Sequence, residues 1–526
     1  MKKMIYVFLI AVGLSSQLAA FIQISNTGIN WDSVFDLNAA YINLNLDKNV
    51  SLLEAYDAIP LTSEFYGTFL YNLSNLVSLV FNGESFDLMD QSVDNFHFLQ
   101  SVAFFCTFIS VLIMSLVLRS IFASDLLAIL YFLIASTSPS WLGMAQVNTK
   151  DMPFAAGLTI VSAGVMLLIK FFESRKNLFF ALFLILIGSS ISLGTRVGGL
   201  LIVLALIILP LIFLILVNRN FALSIRVLFT SLISLIALFV LIYLFLFLTN
   251  PLARIDFKSW VLDAFWITRS FPSVQPVRAL GVDLLSDQLP FWYIPSWMFA
   301  QLPLLMGLMI IPGVYLIVIR IFKYKDSRLF LTTFIFSIHG LFVPIAISAV
   351  QINMYNGIRH IYFIFPFIFF IIAFFFYFLI KKSRNIPLHR NAFIYIFLSL
   401  VLLNLSASVR WSPYAYAFIN PVAGFSNDRK WDLDYWGVSG IEGVTKVRQL
   451  TGINKVVVMP DSSSTYPVNS ISSSSLTDQE RQYGIYVYIH WNHKILKENC
   501  DILFEIKRDN QTLGMGGVCP KKVSQN

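Results

Sequence analysis

The sequence predicts an α-helical polytopic membrane protein of about eleven transmembrane helices, followed by a small α+β domain at its C-terminus. Of the 526 residues, 57% are hydrophobic and only 13% are charged, about half the charged share of an ordinary soluble domain. A soluble chain of this size could not hide so much apolar surface in its core. The apolar residues also gather in runs of roughly twenty, the length at which a helix crosses a bilayer.

The predicted spans lie at 4–24, 99–118, 123–142, 154–171, two within 177–217, 227–249, 301–321, 329–349, 360–380 and 392–407. The first has two interpretations. It follows Lys2 and Lys3 as a membrane helix would, but Gln-Leu-Ala-Ala at 17–20 could also be the cleavage site of a signal peptide. Either interpretation leaves the next segment on the outer side of the membrane.

Basic clusters between the spans set the predicted orientation. When the spans alternate, every cluster falls on one side, which the positive-inside rule makes the cytoplasm. The clusters are Lys2/Lys3, Arg119, Lys170/Arg175/Lys176, Arg219/Arg226, Lys323/Lys325/Arg328 and Lys381/Lys382/Arg384/Arg390. The opposite side receives residues 23–98, whose only basic residue is Lys48. The net charge of +8 is therefore explained by topology, and nucleic-acid binding, which needs a basic face, is not predicted.

Two domains are predicted. Residues 1–407 form the membrane domain with long outer loops at 23–98 and 250–300, and residues 408–526 form the extracytoplasmic domain. This tail predicts a helix at 437–450, strands at 455–459, 484–490 and 502–506, a loop at 462–475 and a hairpin turn at 509–511. Cys500 and Cys519 in the tail either form a disulfide or remain free thiols, whereas Cys106 lies in an apolar run.

Ionisable groups near membrane depth cost a few kcal/mol each unless they are paired or hydrated, so they are candidates for function. Asp32, in Thr27-Gly-Ile-Asn-Trp-Asp32, comes directly after the first span, and Asp36 follows one helical turn later. A carboxylate at this level could act as a general base or hold a metal. It could equally cap the start of a helix.

Three further constellations leave similar alternatives open. Asp151, in Asn148-Thr-Lys-Asp-Met-Pro-Phe154, suits a helix start, while the adjacent Lys150 could meet a phosphate. Arg196 lies between Gly194 and Gly199, which leave room for a ligand to approach, so it could bind a phosphate. It could equally be a charge that sets the membrane topology. Arg359 and His360 open a span, where they bind an anionic headgroup or extend to the lipid surface.

These motifs together resemble bacterial relatives of the protein O-mannosyltransferases, membrane glycosyltransferases of the GT-C fold that use polyprenyl-phosphate sugars. The segments that are similar to the family's motifs are 28–32, 64–67, 148–154, 289–295, 357–360, and 434–437 with 420–424 upstream. The sequence departs from the family's motifs at two positions. Ser33 stands where the family often has Glu, so the need for a divalent metal stays open, although Asp36 could supply the second carboxylate. Thr149 stands where the family usually has Pro.

The resemblance implies transfer of a sugar from a polyprenyl-phosphate donor to a glycan, lipid or protein acceptor on the extracytoplasmic face of a bacterial inner membrane. It implies Asp32 as the general base and Asp151 as its support or as a residue that positions the acceptor. The donor phosphate is expected near Arg359, His360, Arg196 and Lys150. The substrate loops are expected to contribute Asp36, Glu64, Tyr66 and Tyr293. Inversion of the anomeric centre is expected.

Two other functions fit the same composition. A transporter or lipid flippase would also have many helices with scattered charges, but such proteins commonly show an internal repeat, and no two-half repeat is evident in this sequence. A polysaccharide polymerase or ligase would share the lipid carrier and differ in transferring an oligosaccharide.

Overall fold

The computed structural model describes residues 2–30, 32–46, 51–59, 66–171, 175–217, 221–269, 271, 274–321, 344–345, 347–349, 352–425, 430–452, 456–459, 470–471, 485–488 and 501–518. Glu64, Cys500, Cys519 and most of the predicted span at 329–349 lie outside these ranges.

Eleven helices, two of which are halves of one bent span, correspond to ten of the predicted spans in the described residues. They are α1 (Lys2–Ile22), α5 (Val93–Phe122), α6 (Asp125–Thr137), α7 (Pro139–Val147), α8 (Asp151–Phe171), α9 (Arg175–Thr195), α10 (Leu200–Val217), α11 (Phe221–Thr249), α14 (Leu304–Ile321), α15 (Phe365–Lys382) and α16 (Pro387–Trp411), with α6 and α7 making one bent span. Five helices are long and apolar enough to cross a bilayer, six with that bent pair, and the other apolar helices are shorter. A helical polytopic membrane protein is thus confirmed, while the count of eleven stays a prediction.

The third predicted span, 123–142, was wrong as a single helix. It breaks at Ser138, where α6 and α7 meet at 61°. Pro139 explains the break, because proline disfavours helical backbone in the residue before it and cannot donate its own hydrogen bond. α7 continues to Val147 and ends beside the Asn148 motif.

The centre of the membrane domain is α8, whose residues Asp151–Ile169 are all buried. It packs antiparallel on α9 through small residues. A Cβ atom added at Gly157 would lie 2.6 Å from the Gly188 carbonyl oxygen, and one at Gly164 would lie 2.8 Å from that of Ala181. Only glycine allows this approach, as at many membrane helix interfaces. The packing brings the start of α8 and the end of α9 side by side.

Short helices and one hairpin cover the end of the bundle that the sequence predicts to face outward. The first loop forms α2 (Asp32–Leu44), α3 (Leu52–Ala58) and α4 (Phe69–Asn82), and the second forms α12 (Pro251–Arg269), strands β1 (Pro276–Ala279) and β2 (Val282–Leu285), and α13 (Tyr293–Gln301). A Ser51–Glu54 capping box begins α3. These elements carry many of the polar motifs.

The tail contains α17 (Gly440–Thr451) and a mixed sheet in the order β4-β3-β5-β7-β6, whose strands are β3 (Val456–Met459), β4 (Ser470–Ile471), β5 (Ile485–Tyr488), β6 (Asp501–Arg508) and β7 (Gln511–Val518). The predicted hairpin is confirmed, since Arg508 pairs with Gln511 across the turn. The helix begins three residues later than predicted. The prediction of a serine-rich loop was wrong at residues 470–471, which form a short strand parallel to β3.

We expect Gly143→Ala to destabilise the junction between the membrane domain and the tail. A Cβ atom at this position of α7 would lie 1.9 Å from the Tyr416 backbone nitrogen, so the backbones must separate, at roughly 1–3 kcal/mol. Gly307→Ala in α14 is the matched control, because its Cβ would meet Phe299 at 3.5 Å, an ordinary contact. Thermal unfolding in detergent compares the two, and equal melting temperatures would contradict the expectation.

Candidate active site

Two largely buried ion pairs bring four distant segments together at one end of the bundle. Arg359, in a 3-10 helix (Arg359–Ile364) before α15, contacts Asp32 at the start of α2, with 2.6 Å between Nη1 and Oδ2. Arg196, directly after α9, contacts Asp151 at the start of α8. Arg359 is only 3% exposed, so its guanidinium does not extend to the lipid surface. The roles that the resemblance implies would require these four residues to lie close together, and the structure places them so, while the roles themselves stay predictions.

At the starts of α2 and α8, asparagine side chains rather than the two aspartates accept hydrogen bonds from the free backbone amides. The Ser33 amide donates to Asn30 Oδ1 over 2.9 Å, and the Asp151 amide donates to Asn148 Oδ1 over 2.7 Å. Side-chain oxygens in this role satisfy amides that a helix start leaves without partners. Helices begin at Asp32 and Asp151 as the sequence suggested, but the alternative in which Asp32 itself caps its helix was wrong, because Asn30 accepts the hydrogen bond from the amide. The carboxylates of both aspartates contact arginines instead.

A third ion pair lies between the first two. Lys150 Nζ donates to Asp36 Oδ1 over 2.8 Å and also lies 4.5 Å from the ring centroid of Tyr66. The Arg196 guanidinium is 5.1 Å from the same ring. Tyr66 thus contacts both cations through its electron-rich face. It is held there because the next residue, Gly67, donates its amide to the Thr195 carbonyl over 3.0 Å.

The two carboxylates of α2 have opposite protonation tendencies. Burial alone would raise the pKa of Asp32, but the Arg359 guanidinium, with help from Lys150, holds that pKa well below its usual range. Burial raises the pKa of Asp36 to about 6, because Lys150 only partly offsets the desolvation and the Asp32 charge acts in the same direction as burial. Neighbouring groups with separated pKa values are typical of functional sites.

Several polar atoms at this site are buried without a hydrogen-bond partner in the described part of the chain: Nε of Arg196, Nε of Arg359, Nδ1 of His360 and Oδ2 of Asp36. Such atoms are costly unless a ligand or water meets them. Arg196 and His360 also line a cavity of about 150 Å³. Its remaining walls are aromatic and mainly apolar, and include Tyr66, Phe154, Ile202, Ile267, Phe271 and Tyr355.

The tail contributes a contact that sequence reasoning did not find. The indole N–H of Trp436 donates to Asp32 Oδ2 over 3.1 Å, and the Arg359 guanidinium lies 5.1 Å from a ring of the same indole. The Asp434-Tyr-Trp-Gly437 motif was the available signal. It did not indicate which side chain would turn toward the membrane domain.

Tyr293 lies away from the open part of the site. It is fully buried, and its hydroxyl lies 3.5 Å from the Gly357 carbonyl oxygen. Trp297, from the same helix, covers Gly357, where an added Cβ would meet the indole at 3.5 Å. The Leu289–Pro295 motif therefore supports the turn that presents Arg359, and Tyr293 has no place in a substrate loop.

The described side chains do not fit a divalent metal between Asp32 and Asp36. Each carboxylate is already neutralised by a cation, Arg359 or Lys150. Among residues that the structure describes, no group of three or more His, Cys, Asp or Glu side chains is arranged to hold a metal ion. Ser33 supplies no carboxylate, and Asp36, which was considered as its stand-in, is paired with Lys150.

Loss of one partner from the buried Arg196–Asp151 pair should cost far more stability than loss from an exposed pair. Arg196→Ala leaves the Asp151 carboxylate buried without its cation, for which we expect a loss of roughly 3–5 kcal/mol. Arg119→Ala is the control: it breaks the pair with Asp125, whose partners are 61% and 52% exposed, and should cost under about 1 kcal/mol. Denaturant unfolding of purified protein measures both, and comparable losses would contradict the difference.

Comparison with known proteins supports the fold. No protein-family model and no curated protein sequence matches the chain. The crystal structure of ArnT from Cupriavidus metallidurans bound to undecaprenyl phosphate aligns with 99% of this chain and 99% of that chain, at a TM-score of 0.50 and 11% sequence identity. At this identity the likeness shows the fold alone. The chain is therefore an integral membrane protein with the predicted GT-C fold, and the narrower O-mannosyltransferase grouping stays a prediction.

Proposed function

We propose that the protein is a membrane glycosyltransferase that moves a sugar from a polyprenyl-phosphate donor to an acceptor hydroxyl at the extracytoplasmic face of a bacterial inner membrane. One observation carries the proposal. Arg196 and His360 line a largely apolar cavity, and the ion pair of Arg359 with Asp32 lies beside it. A lipid-linked phosphate needs this combination of cations and apolar wall. The ArnT structure, which contains undecaprenyl phosphate, supports the same class of donor.

The donor phosphate is bound by the arginines. Arg196 and Arg359 each have a buried Nε without a hydrogen-bond partner in the described residues, and guanidinium groups bind phosphate through several N–H donors at once. His360 lies beside them with its Nδ1 also unpaired. Ile202, Ile267 and Phe271 continue the cavity wall, where the first isoprenoid units of the donor replace water.

The chemical step is a displacement at the anomeric carbon. Asp32 accepts the proton of the acceptor hydroxyl as the new bond forms between the acceptor oxygen and the sugar. The bond from the anomeric carbon to the phosphate oxygen breaks, and polyprenyl phosphate leaves with the bonding electron pair. Arg359 and Arg196 stabilise its charge. Attack from the face opposite the phosphate inverts the anomeric centre.

Donor binding also makes Asp32 a stronger base. Without a donor, Arg359 neutralises this carboxylate over 2.6 Å, and its lowered pKa makes it a poor proton acceptor. A phosphate that shares Arg359 weakens this hold and raises the pKa of Asp32 toward the value that efficient base catalysis needs. Asp151 keeps Arg196 in place and Asp36 keeps Lys150 in place, so both cations remain near the phosphate.

Purified protein in lipid nanodiscs, incubated with a panel of polyprenyl-phosphate sugars, should release polyprenyl phosphate from at least one donor. Asp32→Asn should reduce this release at least a hundredfold, because general bases commonly contribute factors of 10²–10⁴. Asp283→Asn, in the exposed β1–β2 hairpin, is the control and should remain fully active. Release by Asp32→Asn at the wild-type rate would remove the general base, and no release by wild type from any donor would remove the proposed function.

Arg359→Ala should chiefly impair use of the donor. Loss of charge-assisted bonds to a phosphate corresponds to an increase in the donor KM of roughly tenfold to hundredfold. Arg410→Ala is the matched control, since Arg410 is half-exposed at the end of α16 and pairs with Asp509 over 3.1 Å. Steady-state kinetics at varied donor concentration separate the two variants. A donor KM unchanged in Arg359→Ala would argue against the phosphate role.

A further inference from the structure

A loop of the tail reaches back to the candidate base. This loop, residues 430–439, precedes α17 and carries Trp436, whose indole N–H donates to Asp32. Arg359 donates to the same carboxylate oxygen, Oδ2. Two donors on one oxygen fix the plane of the carboxylate. In the proposed reaction, Oδ1 is therefore the oxygen that meets the acceptor, and Asp32 remains 29% exposed, enough for an acceptor to reach it.

Asp434 holds this loop in shape. Its carboxylate accepts hydrogen bonds from the backbone amides of Val438 (2.8 Å) and Ser439 (3.2 Å), and from the hydroxyls of Ser439 and Tyr416. Its own backbone is left-handed, with φ at 50°, and Gly437 follows with φ at 64°. Four donors around one fully buried carboxylate fix the turn that carries Trp436 between them.

The loop is also locked to the segment that carries Asp32. A Cβ atom at Gly28 would lie only 2.0 Å from the Val438 carbonyl oxygen, so the two backbones touch. Gly28 is four residues before Asp32, and Val438 is two residues after Trp436. The start of α2 and the tail loop therefore form one packed unit across the boundary between the predicted domains.

We propose that the tail loop is part of the active site: Trp436 is a positioning residue that orients the Asp32 carboxylate, and Asp434 is a positioning residue that holds Trp436. The inference rests on the proposed function, because it assumes that Asp32 is the base. Burial raises the pKa of Asp434 to about 7, against the preference of its four donors for the charged form. Asp434 itself touches no reacting group.

Trp436→Phe tests the role of the indole N–H. A hydrogen bond to a charged group corresponds to roughly a tenfold to hundredfold change in rate, so we expect kcat to fall by that factor while the donor KM stays within about twofold. Trp431→Phe is the matched control. It removes an equally buried indole N–H from the same loop, but one that donates to the Ala423 carbonyl over 3.1 Å, and kcat should be retained.

Asp434→Asn is a second variant for the same test, because the amide keeps the size of the side chain and loses acceptor capacity. It should lower kcat in the same direction as Trp436→Phe. If wild type is active and Trp436→Phe matches Trp431→Phe in kcat, the positioning role is overturned. If wild type releases no polyprenyl phosphate from any donor, the proposed function fails, and the inference fails with it.

A spectroscopic measurement covers the case in which Trp436→Phe does not fold. In full-length protein labelled with 15N-tryptophan, Asp32→Asn should shift the indole N–H resonance of Trp436, because a neutral amide is a weaker acceptor than a carboxylate. The Trp431 resonance should stay in place. An unshifted Trp436 resonance would show that its N–H does not bind the Asp32 side chain and would overturn the proposal.

Discussion

The ion pair between Asp32 and Arg359 is the constraint on which the candidate site at one end of the bundle depends. It joins residues 327 positions apart in the chain, one from the first loop and one from a late helix, where Arg359 is almost fully buried and Asp32 only partly exposed. Attraction between such charges is strong in this environment, but each alone would be expensive to bury. The segments around the pair must therefore hold both partners in place. Three of them do so by their conformation: α2, the turn at Gly357 and the tail loop.

The second ion pair, Asp151–Arg196, is positioned by helix packing. The glycines between α8 and α9 allow the two backbones to touch, and the antiparallel arrangement of these helices places Asp151 beside Arg196. Asn148 then occupies the amides at the start of α8, so the Asp151 carboxylate does not have to cap its own helix. Close packing, helix capping and charge pairing are thus all encoded between residues 148 and 196.

Composition and apolar runs predicted the membrane class, and the cost of charge near membrane depth marked Asp32 and Arg359 as candidates for function. That the two act at one site was implied only by the family resemblance. The partner of each charge was not predictable, since several cations were expected near one phosphate. The position of Tyr293 was missed because an aromatic motif fits a substrate loop and a packed support equally well. Trp436 was missed for a related reason: its contact depends on left-handed backbone at Asp434 and Gly437, which hydrophobic periodicity does not report.

The charges of the site also constrain the proposed reaction as a whole. Three carboxylates face three cations in the pairs Asp32–Arg359, Asp36–Lys150 and Asp151–Arg196, so these described side chains balance one another in charge before a donor enters. A donor phosphate adds negative charge, which at least one existing pair must accommodate by sharing its cation. The Asp32–Arg359 pair is the best placed to do so, because Asp32 is partly exposed and its Oδ2 has a second donor in Trp436. The indole keeps the carboxylate oriented while Arg359 turns to the phosphate, and this is the role that the tail loop has in the proposed reaction.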